Sequence, residues 1–114
     1  MKEAPLFAQA LSLSQWLLTN LAAPSPLTPR IHAHALDLLE RIVLALKGFD
    51  RDEQIDRADR SGALLRVHLR LALELGQLDD QRYLFLAGEL DSIGRQLGGW
   101  QRRQSSSTIP ARHR

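Results

Sequence analysis

The sequence has 114 residues, which suits one domain of the usual size, roughly 100–150 residues, and 44% of them are hydrophobic, enough for a core. There is no cysteine, which excludes a disulfide scaffold, thiolate metal sites, Fe–S clusters and a cysteine nucleophile. The formal charge is only +2, but residues 50–80 hold eight acids against five bases, while residues 81–114 hold six bases against two acids.

No apolar run reaches the length of about 18 residues that a spanning helix needs. The N-terminus resembles a signal peptide at first glance. Glu3 and Pro5 spoil its basic region, and Gln9, Ser12, Ser14 and Gln15 interrupt its apolar stretch. Residues 6–21 therefore read as an amphipathic helix of a mature cytoplasmic protein.

Four helical segments follow in chain order. In the first, Leu6, Ala10, Leu13, Leu17 and Leu21 recur every three or four residues, and Pro24 and Pro26 forbid continuation. The second opens at Thr28-Pro29, with Thr28 as cap, and carries Ile31, Ala35, Leu38, Leu39, Ile42 and Leu46 on one stripe up to a stop at Gly48. The third opens at Asp50, which stands at capping-box spacing from Glu53, and its seam is Ile55, Ala58, Gly62, Leu65, Leu69 and Ala72, ending at Gly76. The fourth opens at Asp79, with Leu78 and Tyr83 placed for a hydrophobic staple. Its seam runs Tyr83, Leu86, Leu90, Ile93, Leu97, Trp100. Gly88, Gly94, Gly98 and Gly99 inside the fourth segment suggest close backbone approach to a neighbour, and Gly98-Gly99 also offers a stop. No strand pattern competes. The expectation is an all-α, antiparallel up-down four-helix bundle over residues 1–104, with a disordered basic tail at 105–114.

The search for chemistry is mostly empty. A di-iron bundle needs Glu-x-x-His pairs, and none occurs. His32 and His34, two residues apart, point to different sides of a helix and cannot share an ion; His68 reads as a surface or interface residue. No nucleophile elbow surrounds Ser12, Ser14 or Ser61. The acids at helix starts answer to the macrodipole. Catalytic, cofactor-binding and metal residues are therefore expected to be absent. Arginine remains: Arg66 and Arg70 are spaced i,i+4, and Arg95, Arg102 and Arg103 extend a basic region along the fourth segment. Guanidinium suits phosphate, although Arg70 also stands i,i+4 from Glu74 and aromatics for base stacking are scarce. Trp100 lies on the fourth seam. Trp16 lies off the first, where an inter-subunit anchor would sit.

The run Ile93-Gly94-Arg95-Gln96-Leu97-Gly98-Gly99-Trp100, preceded by Leu71-Ala72-Leu73-Glu74-Leu75-Gly76-Gln77-Leu78 and Asp80-Gln81-Arg82-Tyr83, resembles the Avd-like four-helix-bundle proteins, the accessory variability determinants of diversity-generating retroelements. The resemblance covers about residues 6–103. Trp16-Leu17-Leu18 and Ala35-Leu36-Asp37-Leu38-Leu39-Glu40 agree in order. Ala23 before Pro24 and His68 depart from the family pattern. The resemblance implies a non-enzymatic subunit that assembles into a homo-oligomeric, pentameric ring. It would bind the retroelement reverse transcriptase and template RNA and support mutagenic cDNA synthesis. Arg66, Arg70 and Arg95 occupy family-like basic positions, and Arg102 and Arg103 join them on charge. The alternative is an oligomeric helical scaffold of the rRNA intervening-sequence type that binds only protein.

Overall fold

A computed structural model describes the backbone of residues 4–112 and the side chains of residues 4–101. It contains four helices: α1 (Pro5–Asn20), α2 (Leu27–Leu46), α3 (Arg51–Glu74) and α4 (Asp80–Arg112). No strand occurs among the described residues. Each helix packs on two others. α1 and α3 both meet α2 and α4, with α2 against α3 the most extensive contact and α1 against α4 the least. The result is a four-helix bundle around one core.

The helical periodicity places that core. Leu6, Ala10, Leu13, Leu17 and Leu21 of the first seam are all buried. So are Ile31, Ala35, Leu38 and Ile42 from α2, Ile55, Ala58, Leu65, Leu69 and Ala72 from α3, and Leu86, Leu90, Ile93 and Leu97 from α4. Leu46 departs from the expected stripe: it is exposed, and Ala45 takes the buried position. Tyr83 and Trp100 are half-buried against the core. Fully burying one Leu or Ile contributes about 1.5–3 kcal/mol, so the seams dominate local stability.

The helix ends follow from backbone hydrogen bonding. Gly48 (φ 85°) and Gly76 (φ 74°) adopt the left-handed conformation that closes a helix. Phe49 N donates to Leu44 O at 3.0 Å and Gln77 N to Ala72 O at 2.9 Å, the 6→1 bonds of Schellman motifs at α2 and α3. Asp79 caps α4 by accepting from Arg82 N at 2.8 Å, and Leu78 beside it is buried, as the staple requires. Three expected signals differ. Asp50 makes no side-chain cap. It sits at φ 45°, because the short α2–α3 connection needs a second left-handed residue. Thr28 lies one residue inside α2 and donates to Ala23 O at 2.6 Å, while Ser25 Oγ accepts from Leu27 N at 3.2 Å. Gly98-Gly99 does not stop α4, whose helical backbone continues to Arg112. The expected disordered tail at 105–114 lies outside the residues whose side chains are described.

His32 closes a further helix end. The last carbonyls of a helix lack partners within it, and His32 Nε2, from α2, donates toward Leu21 O at 2.7 Å, with Leu17 O at 3.2 Å. One imidazole thus ties α1's C-terminus to α2.

Gly88 and Gly94 do not serve the expected close approach within the chain, and Gly62 has open space as well. A Cβ at Gly62, Gly88 or Gly94 would meet nothing within 4 Å. Gly88→Ala should therefore raise the urea-unfolding free energy by about 0.5–1 kcal/mol, from helix propensity alone. Gly48→Ala should lower it by about 1 kcal/mol or more, because the left-handed conformation penalises a side chain. Paired denaturant melts of the two variants check the sign of each.

Candidate nucleic-acid interface

The arginines do not form one bare basic surface. Arg66, from α3, donates to Asp91 of α4, and Arg70 Nε donates to Glu74 Oε2 at 2.8 Å. The exposed Arg70 is held above its usual pKa first by the hydrogen bond to Glu74, then by its charge and by Tyr83. Arg57 pairs with Glu53 at 3.2 Å, Arg60 with Asp56 at 2.7 Å and Arg82 with Asp79 at 3.6 Å. Such exposed pairs contribute roughly 0–1 kcal/mol each. They weaken the local positive potential more than they hold the fold. Arg95 is exposed and makes no ion pair among the described residues. Arg102 and Arg103 lie outside the residues whose side chains are described.

Arg95 stands in a built setting. Between the start of α1 and the fourth helix runs an open groove of about 540 Å³, lined by Ala4, Pro5, Leu6, Ser92, Arg95, Gln96, Gly99 and Trp100. Four members of the Gly-Arg-Gln-Leu-Gly-Gly-Trp run, Arg95, Gln96, Gly99 and Trp100, therefore share one groove. The Arg51 guanidinium lies 4.9 Å from the Trp100 ring centroid, a cation–π contact that joins the start of α3 to this aromatic. On the α1 side, Gln9 Oε1 accepts from Gln96 Nε2 at 2.7 Å and from Ser92 Oγ at 3.1 Å, which fixes the groove's polar wall. Trp16 packs within the chain, against Phe85, with ring centroids 5.9 Å apart.

A second groove, about 370 Å³, lies between α2 and α3 and is lined by His34, Asp37, Arg41, Arg57, Arg60, Ser61 and Leu64. The buried Ser61 donates its hydroxyl to Asp37. Arg41 Nη1 donates to Gln54 Oε1 at 3.1 Å, while its Nε lies 3.3 Å from Asp37 as an ion pair without hydrogen-bond alignment. Sequence reading missed this groove and the Asp91 partner of Arg66, because both arise from residues on different helices. The only sequence signal was that polar Ser61 and Gln54 interrupt an apolar face.

No protein-family model matches the chain, and neither the curated proteins nor the solved structures searched contain a match. Among the described residues, no group of three or more His, Cys, Asp or Glu could hold a metal, and no helix is long and apolar enough to cross a membrane.

His34 is the group whose titration reports on the second groove. Its pKa lies below the ordinary 6.5, first through burial, then through His68 and Arg30, with Asp37 acting the opposite way. The unfolded chain therefore takes up this proton at higher pH than the folded one, and stability falls as pH drops through about 6.5. Urea midpoints should decline between pH 7.5 and 5.5, and the decline should be shallower in His34→Gln.

Proposed function

We propose that this chain is a non-catalytic, Avd-like accessory subunit of a diversity-generating retroelement, which binds the element's reverse transcriptase and template RNA to support mutagenic cDNA synthesis. One observation carries the reading: the residues of the resembling run, Arg95, Gln96, Gly99 and Trp100, line one groove that combines an exposed cation, polar groups and an aromatic. Such a groove suits a phosphate backbone beside an unpaired base. Arg66 and Arg70 remain candidate contacts, each exchanging its present carboxylate for phosphate or for an acidic polymerase surface, and Arg102 and Arg103 extend the candidate surface along α4.

The same reading includes an up-down antiparallel order of the helices and a homo-oligomeric ring of five in the cytoplasm. The antiparallel order draws support from cross-helix pairs that run in opposite senses: His34, Asp37 and Arg41 of α2 meet His68, Ser61 and Gln54 of α3. The ring draws support from large apolar side chains left in solvent, among them Val67 (62% exposed), Leu75 (59%) and Leu84 (68%). Light scattering at micromolar concentration should return five times the chain mass, and a monomer would remove the ring.

Template RNA titrated into the purified chain at several salt concentrations tests the main claim. Binding should weaken as salt rises, because bound phosphates release counterions. Arg95→Glu should weaken binding and flatten the salt slope by at least about one unit, with helicity unchanged by circular dichroism. Arg66→Glu and Arg70→Glu should weaken binding less, since each arginine already has an internal carboxylate. An absence of both RNA and reverse-transcriptase binding, with a salt-sensitive oligomer, would instead favour the protein-only scaffold, for which the internally paired arginines speak.

A further inference from the structure

Three of the four histidines fall within the described side chains, and two of them meet. His34 of α2 and His68 of α3 have ring centroids 4.7 Å apart at an interplanar angle of 53°. His32 is occupied by the α1 carbonyls through its Nε2. The His34–His68 pair is not: His68 Nδ1 lies 2.8 Å from Leu64 O, its own helix one turn back, so that nitrogen carries the proton and donates. Its Nε2 is then the nitrogen with an available lone pair. A backbone carbonyl that fixes the tautomer in this way is the usual support behind a metal-binding histidine.

We propose that His34 and His68 form a two-histidine site for a divalent transition-metal ion, clamping α2 to α3. The separation fits. Metal–nitrogen bonds run about 2.0–2.1 Å, and the ring centre lies roughly 1.1 Å further on, so two imidazoles sharing one ion at about 90–110° place their centres roughly 4.5–5.2 Å apart. Asp37, one turn beyond His34, is engaged by Ser61 and Arg41 and does not join the pair. His34 also lines the open α2–α3 groove, which leaves room for water to complete the coordination shell. Two imidazoles with water ligands select nickel, copper or zinc over magnesium or calcium.

The site does not depend on the RNA reading. It is tested by titrating nickel chloride into the untagged, metal-free full chain in a calorimeter, with the melting temperature followed alongside. The expected result is one ion per chain and a melting temperature that climbs with nickel concentration, since the ion binds only the folded arrangement. Loss of a supporting outer partner already costs 10–100-fold in affinity, so His34→Gln and His68→Gln should each cost at least about 100-fold. His32→Gln and His113→Gln should leave binding unchanged. Circular dichroism of the His34 and His68 variants keeps the comparison sound if one folds poorly, because the other alone must still lose binding. No binding by the wild type, affinity retained in both of these variants, or affinity lost with His113→Gln would overturn the site.

Discussion

The register between α2 and α3 is the constraint on which the rest depends. It is set by a short connection that carries two left-handed residues, Gly48 and Asp50. A glycine adopts that conformation without strain, whereas Asp50 does so at some cost, as a polar residue tolerated there. With the turn so closed, Gln54 comes opposite Arg41, Ser61 opposite Asp37, and His68 opposite His34. A slip of one helical turn would separate all three pairs at once and leave buried polar groups without partners, each costing roughly 1–3 kcal/mol. The apolar seam alone would tolerate such a slip far better, because Ile, Leu and Ala at heptad spacing present similar surfaces after every turn. The leucines therefore supply most of the stability, and the polar pairs supply the choice of register.

The opposite side of the bundle is tied differently. α1 meets α4 through a small polar cluster centred on Gln9, with Glu89, Ser92 and Gln96 around it. The bonds from Ser92 and Gln96 to Gln9 join neutral side chains, and such bonds contribute about 0.5–1.5 kcal/mol net, less than a buried leucine. This seam, the least extensive in the fold, borders the groove that holds Arg95 and Trp100.

Much of the fold was legible because burial in a bundle imprints a period near 3.6. Leu6 through Leu21, Ile55 through Ala72, and Leu86 through Leu97 all reached the core as their spacing implied, with half-buried Gly62 the one gap. Gly48, Gly76 and Asp79 were legible for a local reason, since a left-handed stop and an N-cap involve only residues a turn away. Asp50 and Gly98-Gly99 were not, because whether a cap forms or a helix stops there depends on what the neighbouring elements require. The candidate site was legible only in part. Arg95 and Trp100 stood out through the run that contains them, and their common groove with Pro5 and Leu6 could not be inferred from spacing. Asp91 beside Arg66 and His68 beside His34 are partners across helices, which no periodicity within one segment can reveal.

Charge illustrates the same limit. The uneven count of acids and bases predicts a basic C-terminal end, yet potential depends on where each guanidinium finds a carboxylate. Arg57, Arg60, Arg70 and Arg82 find theirs three or four residues away along the chain; Glu53 at the start of α3 and Asp79 just before α4 thereby serve both as dipole partners and as screens, whereas Glu74, at the end of α3, only screens. Arg66 finds Asp91 only because α4 packs against α3. Arg95 lies a turn beyond Asp91 on α4, and that acid is already engaged by Arg66. The cross-helix pair thus does more than neutralise one arginine: it occupies Asp91, the acid one turn before Arg95, and Arg95 at the edge of the groove makes no ion pair among the described residues.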